Sequence, residues 1–441
     1  MKVIIFLRSV IVLFFSFLMG GCCSKSFSNK PALTIAIYDD PLSLSPEQAK
    51  RALDLSISKL IFEGLTRENT NTPTCVELAL ASHYTVSTDE TQYTFFLKPN
   101  TCWNDGTEIT AHDIVKAWEY AKKFSPHRKL FDGIRFSSCS PSTITLTLDA
   151  PNPNILGILS SPVFSVFNPD NLNVFSGPFH LITHIPNHCL ILGKNPHYYD
   201  KNKVAVNSIH LLVVPDLYTA ALLLQRGEIQ WLGQPWHQGL PKELKESSHY
   251  LYTRYPVEGI FWLTINTQDP FLSNIDNRRR LASAINREEI IQYALQNNQE
   301  PAYGLKRDIQ LEIPYLKRKT TMLPQKLTLI YPANILRCQH IAEILKEQLK
   351  REDIDIIPEG LEYHAFLNKR QNRDFSLATG TGVALYPNAP VILESEPEKL
   401  IKNLEIFPIY HMSYDYLTTV HIKNILHNSS GAVDLKYACC S

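Results

Sequence analysis

Hydrophobic and polar residues alternate from Tyr93 to Lys98, which predicts a strand with one buried face. Residues 104–106, Asn-Asp-Gly, have the composition of a tight turn, because glycine adopts backbone conformations that other residues resist. Thr110 then precedes a helical pattern. Its hydroxyl can accept a backbone N–H of the first turn, and Asp113 suits the positive end of a helix. This run therefore predicts a strand, a turn and a capped helix, in that order.

The rest of the chain shows the same change between strand-like and helix-like spacing, without internal repeats. Apolar or alternating runs predict strands at residues 32–38, 143–148, 209–214, 261–266, 327–331, 375–385 and 433–437, and a strand pair between 174 and 192. Helical spacing predicts helices at residues 53–62, 218–226, 278–296 and 338–350. A mixed succession of strands and helices indicates α/β domains.

The length and the net charge of the chain limit the classes of protein to which it can belong. The chain has 441 residues, which is enough for two or three domains, and 44% of them are hydrophobic, which is enough for large cores. Its formal net charge is +0 at pH 7. A neutral chain argues against nucleic acid as a general partner and against electrostatic attachment to a membrane surface.

The N-terminus has the layout of a secretory signal peptide, because Lys2 and Arg8 precede an apolar run at residues 10–19 and two glycines follow it. The apolar run is short for a membrane span. The Gly-Gly-Cys junction resembles a bacterial lipoprotein signal. We therefore expect lipid on Cys22, a signal peptide at residues 1–21, a tether at 22–31, and an exported protein anchored at the periplasmic face of a bacterial membrane. An ordinary signal peptide or a retained anchor is the alternative.

The nine cysteines do not form a metal or redox motif. Cys22-Cys23 and Cys439-Cys440 are adjacent pairs rather than C-x-x-C, and disulfide pairing cannot be deduced from the sequence. The chain also lacks H-E-x-x-H, G-x-S-x-G and Walker-type phosphate loops. Gly-Thr-Gly at 380–382 is interpreted as a strand kink rather than a phosphate site. We therefore expect neither catalysis nor a cofactor nor a bound metal.

The run from Tyr93 to Val115, which contains Trp-Asn-Asp-Gly at 103–106, resembles the signature of a known family. This family comprises the extracellular solute-binding proteins of oligopeptide, dipeptide and nickel ABC importers. The chain resembles further motifs of the family, in the family's order, at residues 61–67, 176–179, 193–199, 224–229, 265–287 and 408–411. The resemblance spans nearly the whole mature chain.

The resemblance implies an α/β, two-lobed periplasmic-binding-protein fold with three domains and a hinge of two backbone crossovers. It assigns domain I to residues 32–60, 172–262 and 405–441, a small insertion called domain II to 61–171, and domain III to 263–404. The stretch 388–407 is short for the family, so we expect a trimmed third domain.

Family members are not enzymes; they catch a solute between closing lobes and pass it to a permease. A site for varied peptides must pair with the ligand backbone and supply counter-charges for its buried termini. Carried over by register, the resemblance predicts these ligand-binding residues: Ile37 and Tyr38 as one strand edge, Thr381, Gly382, Val383 and Leu385 as another, Arg370 as carboxylate anchor, Asp39 as amine anchor, and Trp103 and Trp262 as cleft walls. For Trp103 a buried framework role is the favoured interpretation.

The chain departs from the family pattern on its strand at residues 379–385. Leu385 stands where the family has the Asp that accepts a peptide amine, Gly382 where it has a Trp, and Thr379 where it has an Arg. Asp39 and Asp40 are the available substitutes for the lost carboxylate, although solvated turn carboxylates are the simpler interpretation of both.

The main prediction is a monomeric lipoprotein that binds oligopeptides or peptide-like solutes and delivers them to an ABC permease, with no nucleic-acid partner. Two alternatives stay open. One is a diverged surface interaction or adhesion lipoprotein, and the other is a binder of a non-peptide ligand such as a metal chelate or haem. The altered strand at 379–385 is the feature that keeps both open.

Overall fold

The computed structural model describes residues 32–296, 298–308, 326–392 and 397–440. The predicted signal peptide, the lipidation residue Cys22 and the tether lie outside the described residues. The strands are β1 Ala32–Ile37, β2 Thr66–Glu68, β3 Val76–Leu78, β4 Ala81–Val86, β5 Gln92–Leu97, β6 Ile134–Ser140, β7 Thr143–Leu148, β8 Phe179–Ile185, β9 Cys189–Lys194, β10 Ser208–Val213, β11 Trp231–Gly233, β12 Leu251–Ile265, β13 Glu300–Pro301, β14 Leu327–Pro332, β15 Ile356–Leu361, β16 Leu377–Val383, β17 Ile406–Thr418, β18 Ile422–Lys423, β19 Leu426–His427, β20 Val433–Asp434 and β21 Cys439–Cys440. The helices are α1 Ala52–Ile61, α2 Ala111–Phe124, α3 Ile155–Leu159, α4 Leu217–Gln225, α5 Lys242–Lys245, α6 Ile275–Ala284, α7 Arg287–Ala294, α8 Leu336–Lys350, α9 Tyr363–Gln371 and α10 Pro397–Lys402. Within these residues, no helix has both the length and the apolar composition needed to cross a bilayer.

The predicted strand, turn and capped helix are confirmed. β5 buries Tyr93, Phe95 and Leu97 on one face. At the start of α2, Thr110 Oγ1 accepts from Asp113 N at 3.3 Å, and the Asp113 carboxylate accepts from Thr110 N at 2.8 Å. The two residues thus satisfy two backbone N–H groups that a helix end otherwise leaves unpaired.

Three predicted element lengths were wrong. The helix predicted at 278–296 is divided into α6 and α7, because the backbone is extended at Ile285 and Asn286 then caps α7 by accepting from Glu289 N. The strand predicted at 261–266 is only the end of the 15-residue β12. The last strand, predicted at 433–437, is reduced to the two residues of β20.

One mixed sheet of eleven strands forms the framework, in the order β15-β14-β16-β12-β17-β11-β1-β10-β9-β8, with β13 added on β17. β14 is parallel to both β15 and β16, and β1 is parallel to both β10 and β11. The long strands β12 and β17 pair antiparallel between these two parallel groups. Because both long strands extend from one group into the other, they correspond to the two crossovers of the predicted hinge.

The register of this sheet brings the carboxyl ends of both parallel groups to one place. β1 and β11 run toward the middle of β17, because Trp231 pairs with Thr418 at the end of β17 and the two strands are antiparallel. β16 runs toward the middle of β12, because its last residue, Val383, pairs with Gly259. Open α/β sheets bind ligands at the carboxyl ends of their strands. The region around the middle of the β12–β17 pair is therefore the candidate cleft.

A second, antiparallel sheet of four strands, in the order β4-β5-β7-β6, lies within the predicted insertion at residues 61–171. The indole of Trp118 on α2 meets the rings of Phe136 and Phe164 edge-on, at 5.3 and 5.4 Å between centroids. Its Nε1 donates to Phe164 O at 2.8 Å. Trp118 therefore fixes α2 against this sheet, while the domain boundaries drawn from the sequence stay a prediction.

A buried ionic cluster joins distant segments of the chain. Arg67 on β2 donates through Nε to Glu63 at 2.8 Å and through Nη1 to Asp434 on β20. Tyr198 donates its hydroxyl to the same Glu63 carboxylate. Burial by itself raises the pKa of Glu63, but the charges of Arg67 and Lys436 outweigh burial and hold the pKa below its ordinary value. The cluster can be buried away from water because its charged groups are paired with groups of opposite charge.

Replacing Arg67 with Met keeps much of the side-chain bulk but leaves the carboxylates of Glu63 and Asp434 buried without this counter-charge. We expect Arg67→Met to lose about 3–5 kcal/mol of unfolding free energy at pH 7. Since the native pKa of Glu63 is depressed, its stabilisation is present above the unfolded pKa of about 4.3 and is lost as the pH falls through the native pKa. In urea denaturation, the difference between the two proteins should therefore shrink at acid pH.

Arg135→Gln is the matched control, because Arg135 pairs with Asp149 on the surface, where the two side chains are 65% and 61% exposed. Its unfolding free energy should stay within about 1 kcal/mol of wild type. An Arg67→Met protein as stable as this control would show that the buried cluster contributes little to the fold.

Candidate ligand-binding cleft

Strand β16 presents a free edge at the candidate cleft. It pairs with β12 along its whole length, whereas β14 pairs with only its first two residues. Among the described residues, no strand lies against the other edge of residues 379–383. Thr381 is exposed, and Gly382 and Val383 are half-buried. This edge is therefore accessible to an extended ligand.

The hydrogen-bond register shows which backbone groups this edge offers. Ala384 N donates to Glu258 O at 2.7 Å, which makes residues 384 and 258 a hydrogen-bonded pair of the antiparallel ladder. Hydrogen-bonded and non-hydrogen-bonded pairs alternate along such a ladder. Val383 and Thr381 therefore belong to non-hydrogen-bonded pairs with β12. Their N–H and C=O groups point away from β12, toward the free edge.

Trp262 lies across one face of β16 and explains the Gly-Thr-Gly sequence at 380–382. A Cβ atom added at Gly380 would come within 2.4 Å of the Trp262 ring, and one added at Gly382 within 2.1 Å of the carbonyl oxygen of Val391. The Trp262 side chain is buried, and its Nε1 donates to Thr264 Oγ1 at 3.1 Å. Close packing, rather than the kink interpreted from the sequence, accounts for the two glycines.

Ile37 and Tyr38, at the end of β1, have backbone groups that are engaged within the protein. Ile37 O accepts from Val214 N at 2.8 Å, and Tyr38 N donates to Trp236 O at 3.0 Å. β1 lies between β10 and β11, so it is an interior strand of the sheet. A ligand strand would pair here only by displacing these bonds, which distinguishes β1 from the open edge of β16.

Both acidic residues predicted as substitutes for the amine anchor have partners inside the protein. Arg51 Nη1 donates to Asp39 Oδ2 at 2.7 Å. Asp40 accepts from Asn187 N at 2.7 Å, and His184 Nε2 lies 3.4 Å from its other carboxylate oxygen. An ammonium group at Asp39 would have to share a carboxylate that already pairs with a guanidinium.

The remaining predicted site residues lie in different surroundings. Arg370, near the end of α9, donates to Thr264 Oγ1 at 3.4 Å, and the same hydroxyl accepts from Trp262. Leu385 is half-buried and packs against the main core. Trp103 is 4% exposed within that core, which is consistent with a framework role. The structure therefore brings Arg370 and Trp262 together at β16 and leaves Trp103 in the predicted insertion.

Comparison with known protein families identifies the family to which this protein belongs. Residues 76–309, which are more than half of the chain, match the model of bacterial extracellular solute-binding proteins, family 5. The chain belongs to this family.

Individual relatives agree with this assignment. The family 5 chain is 24% identical over 420 residues to the oligopeptide-binding protein OppA of Bacillus subtilis (strain 168), covering 81% of this chain and 76% of OppA. It is 22% identical over 510 residues to the dipeptide-binding protein DppE of the same strain, covering 93% and 92%. The crystal structure of NikA from Brucella suis in complex with Fe(III)-EDTA is similar in fold, with a TM-score of 0.81, 16% identity, and 93% and 100% of the two chains covered. The α/β fold of periplasmic binding proteins is therefore confirmed.

The site residues predicted from the sequence of this family 5 protein do not include Glu258, which lies in the irregular part of β12 between Pro256 and Ile260. Its carboxylate accepts from Asn388 N at 3.1 Å and lies 3.1 Å from Ser429 Oγ, whose proton is shared with Glu68 at 2.7 Å. It forms no ion pair within the described parts of the chain. Its backbone oxygen binds residue 384, next to the position where the family has its amine-binding Asp. The signal for it was one acidic residue in a mostly apolar run at 257–263.

Adding a methyl group at Gly380 should disturb the packing of Trp262. Because the new Cβ would lie 2.4 Å from the indole ring, we expect Gly380→Ala to lower the unfolding free energy by about 1–3 kcal/mol. In a Trp262→Leu background the same change should cost less, since the clashing ring is gone. Urea denaturation followed by circular dichroism measures all four proteins of this cycle.

Gly239→Ala is the control, because nothing lies within 4 Å of a Cβ atom at Gly239. Its unfolding free energy should stay within about 0.5 kcal/mol of wild type. Equal losses for Gly380→Ala with and without Trp262 would contradict the packing explanation.

Proposed function

We propose that this protein is the substrate-binding component of an ABC importer, which captures oligopeptides or peptide-like solutes between two closing lobes and passes them to a permease. Its family consists of extracellular solute-binding proteins, and its relatives OppA and DppE are named for oligopeptide and dipeptide binding. The observation that carries the proposal is the free edge of β16 at the cleft. We expect a monomer that is neither an enzyme nor a nucleic-acid-binding protein.

Strand addition on β16 gives this proposal its mechanism. An extended peptide paired with the outward N–H and C=O groups of Thr381 and Val383 would add a strand to the main sheet. Main-chain pairing holds a peptide whatever its side chains are, so the mode suits varied ligands. On one face of the added strand, ligand side chains would lie beside Trp262, the wall predicted from the sequence.

The amine of a peptide needs a carboxylate when the cleft closes, because an ammonium group loses its hydration there. We propose Glu258 for this role in place of Asp39. Glu258 lies beside residues 384 and 388 and has no cationic partner in the described residues, whereas Asp39 already pairs with Arg51. A carboxylate with these few hydrogen bonds keeps lone pairs for a further donor.

A metal chelate or haem is the second candidate ligand class, because NikA, similar in fold, was solved in complex with Fe(III)-EDTA. In the described parts of the chain, no group of three or more His, Cys, Asp or Glu side chains is arranged to hold a metal ion. Peptides are favoured because they would use the main-chain groups of β16. An adhesion role is not favoured, because the relatives are named as solute-binding proteins.

We also propose that residues 1–21 direct export and that lipid on Cys22 anchors the protein at the periplasmic face of a bacterial membrane. Membership of an extracellular family supports export. The lipid anchor rests on the Gly-Gly-Cys junction of the sequence. Anchoring would keep the binding protein close to its permease.

Thr381→Pro should weaken peptide binding without breaking the ladder between β12 and β16. Proline removes the N–H of residue 381, which points to the free edge, and proline is tolerated at strand edges. Loss of one main-chain hydrogen bond to the ligand should raise the Kd for trialanine about tenfold. Isothermal titration calorimetry on the full chain, purified in detergent, measures this Kd.

Thr381→Val is the matched control, because it changes the side chain and keeps the N–H group, so its Kd should match that of wild type. If both variants bind trialanine as wild type does, pairing on β16 is excluded. If wild type binds Fe(III)-EDTA and no peptide, the second ligand class replaces the first.

Glu258→Gln should remove a preference for the free peptide amine. With wild type, we expect trialanine to raise the melting temperature more than N-acetylated trialanine, because a ligand of the native state stabilises it by mass action. Glu258→Gln should respond alike to both peptides, and Asp39→Asn should keep the wild-type preference. The reverse pattern would identify Asp39 as the amine anchor, as the sequence predicted.

A further inference from the structure

One hydroxyl group, that of Ser429, lies between the carboxylate proposed as amine anchor and a second carboxylate that is deeply buried. Ser429 Oγ is 2.7 Å from an oxygen of Glu68 and 3.1 Å from an oxygen of Glu258. A serine hydroxyl carries a single proton, so it can donate to only one of the two at a time. Glu68 is 2% exposed, whereas Glu258 is exposed at the cleft. The hydroxyl therefore connects a buried carboxyl group to the proposed ligand site.

Backbone hydrogen bonds hold Ser429 in this position. Its N–H donates at 2.6 Å to the same Glu68 oxygen, and its carbonyl oxygen accepts from Glu258 N at 2.9 Å. The turn that contains it is closed by Asn428 N, which donates to Ala432 O at 2.9 Å. Because the backbone is fixed on both sides, the proton on Oγ can turn from one carboxylate to the other without any movement of the chain.

The surroundings of Glu68 favour its protonated form. Burial raises the pKa of Glu68, and the positive charge of Lys59 on α1 and the hydrogen bonds from Ser429 offset only part of this rise. Lys59 is buried as well, and burial lowers its pKa. Its ammonium group lies 3.4 Å from Ser160 O and forms no ion pair with Glu68 in the described residues. The negative charge of Glu258 further disfavours ionisation of Glu68.

The other elements around Glu68 do not compensate a charge on it. On β3, Val76 lies opposite Glu68. The helix α3, which packs on β2, contains only apolar residues. Nearby titratable groups bind elsewhere: Arg67 in the buried ionic cluster, Glu77 at the Tyr437 hydroxyl, and His427 beside the Tyr416 hydroxyl. The charge state of Glu68 therefore depends mainly on Lys59 and on what happens at Glu258.

We propose that capture of the peptide amine at Glu258 releases the proton of Glu68, and that the hydroxyl of Ser429 connects the two events. The inference rests on the proposed function and adds a coupling between ligand binding and proton release. Before capture, the protonated Glu68 donates to Ser429 Oγ, and Ser429 donates to Glu258. After capture, the ammonium group donates to Glu258 instead, and the Ser429 hydroxyl turns to Glu68.

The proton follows a balanced path. Glu68 gives its proton to Ser429 Oγ, Ser429 gives its own proton to Glu258, and the exposed Glu258 passes it to water as the ammonium group replaces it. Ser429 gains one proton and loses one, so it is a positioning residue. Glu68 ends ionised and accepts from the hydroxyl. The positive charge of the bound ammonium group offsets the negative charge that is left on Glu68.

Isothermal titration calorimetry of trialanine on the full chain in detergent counts the released protons when it is repeated in buffers of different ionisation enthalpy. The range runs from about pH 5 to about pH 7, above the ordinary Glu pKa of about 4.3 and below the pKa of a free amine at about 8. A nearby charge that shifts a pKa by about one unit displaces about half a proton at the midpoint. Wild type should release about this amount and bind trialanine several-fold more tightly as the pH rises. It should release none with N-acetylated trialanine.

Glu68→Gln should abolish the release, because the amide does not titrate in this range. Ser429→Ala should lose most of it, since the hydroxyl is gone while the backbone N–H remains. Glu77→Gln is the matched control, because this carboxylate accepts from the Tyr437 hydroxyl at 2.7 Å. It should release as much as wild type. A purely structural role of Glu68 would change the affinity at all pH values and leave the number of protons unchanged.

A melting curve without ligand at pH 7 separates the proton release from the stability of the fold. Burial disfavours the ionised form of Glu68, so Glu68→Gln should melt at or above the wild-type temperature. If this variant melts several degrees lower, the comparison rests on Ser429→Ala. A proton release that survives both substitutions overturns the inference.

Two further outcomes separate this inference from the proposed function. If wild type binds trialanine and releases no proton across the pH range, the coupling is overturned and the proposed function stands. If wild type binds no peptide, the proposed function fails, and the coupling fails with it because no amine is captured.

Discussion

A single buried guanidinium group, that of Arg67, holds parts of this chain together that lie far apart in the sequence. It pairs with Glu63 in the turn after α1 and with Asp434 near the C-terminus, and Tyr198 binds Glu63 from a third segment. Charges closed off from water are stable only when they are paired. The cluster therefore requires all three segments to be in place at once, and it ties the predicted insertion to the C-terminal tail.

The cleft depends on the continuity of β12 and β17. These two strands carry one sheet across both parallel groups, and their pairing places the carboxyl ends of β1 and β16 around a common centre. The register shift between Pro256 and Ile260 lies at that centre and contains Glu258. A β-bulge bends a strand and re-aims its side chains, and bulges are frequent beside functional sites. The irregular segment thus contributes a carboxylate that forms no ion pair in the described residues.

The open edge of β16 was predictable, and the counter-charges proposed for its ligand were not. Register with the family motif pointed to Thr381 and Val383, and the structure shows that their main-chain groups face an open edge. Asp39, the amine anchor predicted in the same way, already pairs with Arg51. Glu258 was not predicted, because nothing in the sequence shows that this carboxylate forms no ion pair in the described residues. Ion-pair partners come from residues distant in the sequence.

The sequence by itself determined the local helices and strands and their succession along the chain. The alternation at 93–98, the capping pair at Thr110 and Asp113, and the motifs in family order were enough to predict elements and family, because each depends on residues close together along the chain. Tertiary structure alone decided that β12 continues through a polar first half, that Gly380 makes room for Trp262, and that Glu258 forms no ion pair in the described residues. These features depend on which strands pair with each other. Contacts between residues that are distant in the sequence decide this pairing.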